Sequence, residues 1–305
     1  MSIATATKCL LKNTWFLSSS GFKHGYVFIN GSRIDDTNEG ESPPEYELAE
    51  LVYDFQGDSV VAHGYSIVTD IVEYTTRGLD NIDLSVFTRE ELRKLAKVGV
   101  VNAYINGVTL PVTITNHPEI IIDIARENSI RIGLIVDRGV VSKNPFTVLF
   151  EVEENWVYYE DRKISEMSKF ICQSSMLSNE CLIIDGRGYG NLSTAIEEVF
   201  KESGNFERAF KLLTNTYRLA GIDNGFVDNG SSSDIIIYDL KNPLKSLPIR
   251  DVSNLYKLLS RSQQPDIVFI GGDVFYDHGE NLAIAIVKIH ELFKKKLTIE
   301  RNNIQ

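Results

Sequence analysis

The stretch from residue 88 to residue 137 constrains the fold most, because helix and strand patterns alternate along it. Thr88 and Glu91 have the spacing of a capping box, which predicts the start of a helix that ends at Gly107. A strand, a helix that begins with proline and the nearly all-apolar strand 130–137 follow in that order. Strands that alternate with helices predict an α/β fold with a parallel sheet.

Polar side chains follow the predicted parallel strands at their carboxyl ends, where the loops of such sheets usually carry function. The set comprises Asp70, Asn116, His117, Asp137 and Asp185. If the strands keep their expected order, these side chains gather into an acid/base or cation pocket. The alternative is that they form turns and helix caps, which are common roles for polar residues at strand ends.

Both ends of the chain are rich in strand patterns. Short β-rich runs fill residues 12–60, and further strands separated by one helix fill residues 233–278. Neither segment is long enough to bury a sheet of its own, so we predict that their strands pair within one β-domain. Before the second β-rich end, residues 145–162 have strand character, and a helix is predicted over 164–176.

The charge and the apolar content exclude several classes of protein. With 31 basic and 42 acidic residues the net charge is −11, which opposes general affinity for nucleic acid. No run approaches the ~18 apolar residues of a membrane helix, and the first residues lack a signal-peptide pattern, so a cytoplasmic location without membrane association is expected. Cys9, Cys172 and Cys181 lie far apart without a CxxC pair, and we expect them to be reduced core thiols.

Several phrases of the sequence resemble a known family. "KLLTNTYRLAGIDNGFVDNGSSSDIIIYDLKNP" and "PDIVFIGGDVFYDHGE" are similar to the closing segments of the amidohydrolase superfamily, particularly its cytosine-deaminase and imidazolonepropionase-like branches. "GDSVVAHGYSIVTD" and "INGVTLPVTITNHPEI" look like the first two barrel strands of that family. The resemblance covers about residues 10–139 and 183–285. The positions in register within the first phrase are Thr214, Asn215, Gly221, Gly230, Asp234 and Asp239.

The resemblance implies a metal-bearing (β/α)8 barrel beside a small β-sandwich that both chain ends build. An eight-unit barrel usually takes ~250 residues, and the stretch between 140 and 180 is too short for the missing units. We therefore expect an α/β chain with a partial or reduced TIM-like barrel. The expected domains are a composite β-sandwich of residues 1–62 and 233–305 and a barrel-like domain of residues 63–232.

The zinc or iron ligands of the family are mostly missing from this sequence. The resemblance places Thr69 and Ile71 where the family has its His-x-His pair, and Asp185 at its last-strand aspartate. His63 falls at the opposite end of that first strand and is expected to be a surface or interdomain residue. We therefore expect no metal cofactor, with Asp185 and His117 as the catalytic candidates. The residual candidates for a cation are Asp70, His117, Asp137 and Asp185.

Two functions follow from the resemblance. The leading interpretation is a shortened relative that has lost metal-dependent hydrolysis of C–N bonds and acts as a binding or assembly protein. The alternative is a metal-dependent hydrolase of non-peptide C–N bonds that keeps a minimal residual site. A reduced barrel leaves a sheet edge or an apolar face to be covered, so a homodimer is expected. A small-molecule ligand is compatible with either function.

Overall fold

The computed structural model describes residues 7–76, 84–140, 144–173, 177, 181–185, 192–241, 251–261 and 263–285. Within these ranges the strands, in chain order, are β1 (Lys8–Ser18), β2 (Gly21–Asn30), β3 (Arg33–Glu39), β4 (Leu51–Asp54), β5 (Ser59–His63), β6 (Val112–Thr113), β7 (Ile132–Asp137), β8 (Thr147–Glu153), β9 (Trp156–Tyr159), β10 (Arg162–Glu166), β11 (Ile171–Cys172), β12 (Leu182–Ile183), β13 (Ile235–Asp239), β14 (Ile267–Ile270), β15 (Asp273–Asp277) and β16 (Glu280–Asn281). The α-helices of the same ranges are α1 (Arg89–Ile105), α2 (Pro118–Glu127), α3 (Met167–Phe170), α4 (Leu192–Ser203), α5 (Phe206–Leu213), α6 (Asn215–Leu219) and α7 (Val252–Ser260). None of these described helices is long and apolar enough to cross a membrane.

Strands from both ends of the chain form one large sheet. Its order is β16, β15, β14, β13, β5, β1, β2 and β3, and β4 also pairs with β1. β5 runs antiparallel to β13, with Ile235 opposite His63 and Asp239 opposite Ser59. Strands of the two β-rich ends therefore pair within one sheet, as predicted. The hydrogen bonds form one continuous sheet because β1 pairs with β2 along one edge and with β4 and β5 in succession along the other.

The chain passes directly from β5 into residues 64–69, which form the central strand of a second, largely parallel sheet. Val68 makes parallel bridges with Val112 on one side and with Ile184 on the other. β6, β7 and β8 continue the sheet in parallel, and β9 and β10 extend it as an antiparallel hairpin. The two bridges of Val68 connect the pair of β11 and β12 to the five strands ordered β6, β7, β8, β9 and β10.

The two faces of this parallel sheet pack into different cores, because side chains alternate along each strand. The face that packs on the helices α1, α2, α4, α5 and α7 is here called the helix side. Its strand residues include Tyr65, Ile67, Ile132, Leu134 and Ile183. The opposite face is here called the inner face. Its strand residues include Val68, Val112, Ile135, Phe150 and Leu182.

The chain that follows β8 covers the inner face. Helix α3 places Phe170 against Phe150 with the ring centroids 5.0 Å apart, and both side chains are fully buried. Val157 and Tyr217 belong to the same cluster. In the part of the chain that the structure describes, the strands do not close into a barrel, because the hairpin of β9 and β10 ends the sheet. The apolar face that was expected to need a second subunit is covered by the same chain, and the homodimer stays a prediction.

Local sequence signals mark several element boundaries correctly. At the start of α1, Thr88 and Glu91 form the predicted capping box, each accepting a hydrogen bond from the backbone of the other. Pro118 occupies the first turn of α2, as predicted. The helix predicted over 164–176 is wrong, since the described part of that range holds the end of β10, the short α3 and β11. Pairing with β9 keeps the first residues of this range extended.

Two of the three cysteines are bonded to each other. Cys172 and Cys181 form a disulfide between β11 and the start of β12, with their Cα atoms 5.7 Å apart. The expectation of three reduced thiols is therefore wrong. No motif links the two residues, and the parallel pairing of β11 with β12 is what brings them together. Cys9 is a buried thiol, as expected, and burial raises its pKa to about 12.

His63 lies where the large sheet meets the parallel sheet, and it is fully buried. It is therefore not at the surface, which was one of the two placements expected for it. Its Nδ1 lies 2.9 Å from the carbonyl oxygen of Gly64. Its Nε2 lies 3.3 Å from Asp223 Oδ2 and 3.1 Å from Ser232 Oγ. Because hydrogen-bond acceptors lie at both ring nitrogens, the site suits the doubly protonated imidazolium.

The charges at this junction are paired. Burial opposes the charged form of His63, but the charge of Asp223 and its hydrogen bond outweigh burial and raise the pKa of His63. Burial likewise opposes the charged form of Asp223, and the charge of His63 outweighs it and lowers the pKa of Asp223. A second pair joins Arg131 to Asp234 at 3.1 Å, and the Tyr217 hydroxyl donates to the same carboxylate at 3.0 Å. These pairs fix the two sheets to each other.

Replacing His63 by Gln is expected to lower the free energy of unfolding by ~3 kcal/mol at mildly acidic pH, because the Asp223 carboxylate stays buried without its cation. A raised pKa means that the stabilisation from His63 is complete below the unfolded-state value of ~6.5 and is lost as the pH rises through the folded-state pKa. The lowered pKa of Asp223 means that its stabilisation is present above ~3.9 and is lost as the pH falls through the folded-state pKa.

Urea unfolding of the wild type and His63→Gln from about pH 5 to about pH 9 measures this difference. We expect it to shrink toward alkaline pH, where the wild-type imidazole loses its charge. A difference that does not change with pH would contradict the charged pair.

Replacing Phe170 by Ala is expected to lower the free energy of unfolding by about 3–5 kcal/mol, because it opens a cavity between α3 and the inner face. Leu48→Ala is the control, since the Leu48 side chain is 86% exposed and its truncation should cost no more than about 0.5 kcal/mol. Chemical denaturation of both variants measures the two losses. A small loss for Phe170→Ala would show that α3 does not cover the inner face.

Candidate functional site

A cavity of about 360 Å³ opens at the carboxyl ends of β6, β7 and β8. This is the edge of a parallel sheet at which α/β folds usually hold their ligands. The polar groups on its wall are Thr115, Asn116 and Asp137. The apolar part of the wall includes Ile114, Pro118, Ile135, Val140, Val152 and Met167. The cavity therefore offers a mainly apolar pocket with one carboxylate and one amide.

Strand alternation places the two main polar groups of this wall. Asn116 and Asp137 each follow, by two positions, a residue that packs on the inner face, so they continue that face beyond the strand ends. Asp137 is the last residue of β7 and is exposed. The next residue, Arg138, pairs with Glu153 and with Asp161, at 2.7 Å each. The guanidinium is thus held by these two carboxylates, while Asp137 lies on the wall of the cavity.

Asp185 lies away from the cavity and pairs with Thr69. The Thr69 hydroxyl donates to Asp185 Oδ2 at 2.7 Å, and both residues are buried, at 4% and 1% exposure. Ile183, two positions before Asp185, lies on the helix side. Alternation therefore puts Asp185 on the helix side as well. The structure does not bring this predicted catalytic residue to the pocket that Asp137 lines.

His117 and Asp70 lie around a buried carboxyl group that the sequence did not point to. The backbone N–H of His117 donates to Thr115 Oγ1 at 3.1 Å, and the Thr115 hydroxyl donates to Glu73 Oε1 at 3.3 Å. Burial raises the pKa of Glu73, the negative charge of Asp70 adds to this rise, and Thr115 and His117 oppose it. Glu73 carries no sequence signal, because it lies in a polar loop without a motif.

The predicted site residues thus lie at one edge of the sheet but in three groups. Asn116 and Asp137 share the cavity wall. Asp70 and His117 lie near the loop that follows the central strand. Asp185 lies on the helix side. A single pocket that gathers all of them is not formed.

The resemblance placed the family's histidine pair at Thr69 and Ile71, and the structure shows that these are not inward-facing positions. Ile71 packs on the helix side, whereas Val68 packs on the inner face. Alternation makes Val68 and Asp70 the inward-facing positions at this strand end. A shift of one residue along a strand exchanges its two faces, so an alignment error of one position reverses the assignment.

The residues present do not fit a zinc site of the kind the resemblance implies. Such a site takes three protein ligands that converge on one ion. Among the described residues, no three His, Cys, Asp or Glu side chains lie close enough together to hold a metal ion. The carboxylates of Asp70 and Asp137 follow the inner face, while Asp185 lies on the other side of the sheet.

Comparison with known proteins relates the fold to solved structures. No family model and no curated protein matches the sequence. An adenosine deaminase from Xanthomonas campestris with bound zinc has a TM-score of 0.68 and 10% identity, over 98% of this chain and 99% of that chain. A variant of the atrazine chlorohydrolase from Arthrobacter aurescens TC1, complexed with zinc and atraton, has a TM-score of 0.67 and 9% identity, over 94% and 99%. The guanine deaminase of E. coli has a TM-score of 0.62 and 12% identity, over 89% and 99%.

These comparisons correct the leading interpretation of the sequence. A binding or assembly protein without hydrolytic activity is the wrong expectation, because similar solved structures include a chlorohydrolase and two deaminases. That interpretation rested on counting metal ligands. Over nearly its whole length, the chain shares its fold with these solved structures.

Proposed function

We propose that this protein is a hydrolase that cleaves a C–N bond of a small nitrogen compound bound in the cavity at the ends of β6, β7 and β8. The observation that carries the proposal is the presence of the Asp137 carboxylate and the Asn116 amide on one cavity wall. The fold supports it, because neighbours in fold are an atrazine chlorohydrolase, an adenosine deaminase and a guanine deaminase. Compounds with nitrogen-containing rings are therefore the first substrates to test.

Asp137 acts as the general base in this proposal. Its carboxylate takes a proton from water, the water oxygen adds to the carbon of the C–N bond, and the proton passes to the departing nitrogen. Water is consumed, and ammonia or an amine is released. The Asn116 amide donates a hydrogen bond to the negative charge that develops on the substrate.

The finer architecture and the cellular setting are part of the same proposal. We infer that the parallel strands are a reduced (β/α) barrel within residues 63–232, and that residues 1–62 and 233–305 form the composite domain. A homodimer is proposed because β10 leaves an edge of the described sheet without a partner strand. A cytoplasmic location and the lack of nucleic-acid binding are proposed on the sequence arguments given above. Light scattering of the purified chain tests the homodimer.

Replacing Asp137 by Asn is expected to lower kcat/KM by about 10²–10⁴-fold, because an amide cannot take the proton from water. The measurement is the release of ammonia from adenosine and guanine, and of amine from atrazine, by wild type and variant. Thermal unfolding of both proteins should differ little, since Asp137 is exposed at the end of its strand.

Asp161→Asn is the matched control. It removes the same charge from a carboxylate that is 71% exposed and pairs with Arg138, so the variant should keep its activity. An Asp137→Asn variant as active as the wild type would remove this residue from the mechanism. A wild type that turns over none of these compounds would contradict the proposed function.

A further inference from the structure

Two of the solved structures that share this fold hold zinc, and the donors of this chain are arranged differently. Zinc ligands converge on one ion from one side. Here Asp137 continues the inner face, whereas Asp185 continues the helix side, where Ile183 packs. Strand alternation thus directs the two carboxylates to opposite faces of the parallel sheet, which does not fit convergence on one ion.

The Asp185 carboxylate is instead bound to the neighbouring strand. Its Oδ2 accepts the Thr69 hydroxyl at 2.7 Å. The backbone of the same two strands is paired here, since Asp185 N–H donates to the Val68 carbonyl at 3.0 Å and Val68 N–H donates to the Ile183 carbonyl at 2.7 Å. β12 spans two residues, so the side-chain contact extends a very short ladder. Asp185 therefore joins the strand end to residues 64–69.

We infer that hydrolysis in the cavity runs without a transition metal, and that Asp185 is a positioning residue that fastens β12 to residues 64–69 through Thr69. The first part rests on the proposed function, and the second part stands on the contact between Thr69 and Asp185. The Asp137 carboxylate then activates water directly. Asp185 acts on catalysis through the position of the strand ends and not by contact with the substrate.

Zinc binding tests the donor argument without any substrate. Wild type, Asp185→Asn and Thr69→Val are incubated with zinc chloride and desalted, and zinc is measured by plasma mass spectrometry. We expect far less than one zinc per chain, the same content in all three proteins and no rise of Tm when zinc is added. One zinc per wild-type chain that is lost in Asp185→Asn would overturn the inference.

A double-mutant comparison tests whether the hydrogen bond between Thr69 and Asp185 stabilises the pairing of β12 with residues 64–69. Thr69→Val and Asp185→Asn should each lower Tm, and the double variant should lose less than the sum of the two single losses, because both changes remove the interaction that the two residues share. Thr69→Ser keeps the hydroxyl and should keep most of the wild-type Tm. Additive losses of Tm, or equal losses of Tm for Thr69→Ser and Thr69→Val, would contradict a stabilising contact between Thr69 and Asp185. If Asp185→Asn does not fold, the comparison of Thr69→Ser with Thr69→Val still tests this contact.

Activity measurements separate the failure of this inference from the failure of the proposed function. For a compound that the wild type hydrolyses, treatment of the protein with EDTA and later addition of zinc should leave kcat unchanged. Loss of activity on chelation that zinc restores would overturn the metal-free reaction and leave hydrolysis intact. If no compound is turned over, the proposed function fails, while the zinc content and the Thr69 variants still decide the role of Asp185.

Discussion

Residues 59–69 form one extended run that belongs to two sheets, and the rest of the structure depends on this constraint. The first half pairs with β13 and β1, and the second half pairs with β6 and β12. At the change-over, His63 and Asp223 bury opposite charges, a pair that is costly to break once it is removed from water. Gly64 lies against Thr109 with no room for a Cβ atom. The orientation of this run about its own axis determines which of its residues face inward in the parallel sheet.

The alternation of side chains along each strand gives two carboxylates different surroundings, although both lie at strand ends of the same sheet. Asp137 is exposed and lies on the cavity wall with the Asn116 amide, which suits proton transfer to a bound molecule. Asp185 is buried on the helix side and accepts a hydrogen bond from the Thr69 hydroxyl, which suits a structural contact. In our proposal, a fold shared with zinc-containing enzymes holds a site that uses carboxylate and amide groups in place of a metal.

The sequence was informative where a short pattern decides the structure. The capping box at Thr88, the proline that begins α2 and the apolar run of β7 each act within one element, and each is found as predicted. The pairing of the two chain ends was also predictable, because neither could bury a sheet without the other.

The sequence was uninformative where contacts join distant residues. The disulfide of Cys172 with Cys181 depends on two strands lying side by side. The burial of Glu73 against Thr115 depends on two loops that meet across 42 positions. To locate the site, the register of one strand must be known to within a single residue, because a shift of one residue exchanges the two faces of the strand. Composition and spacing do not carry that information.

The location of the site is the central claim, and a methyl spectrum of methionine tests it most directly. The chain has three methionines, and Met167 lies on the wall of the cavity beside the ends of β6, β7 and β8. With carbon-13 methionine methyl groups and a titration of adenosine, guanine and atrazine, the account predicts a saturable shift of the Met167 signal that Asp137→Asn weakens. Saturable binding of a turned-over compound that leaves the Met167 signal unchanged would place the site elsewhere and contradict the account.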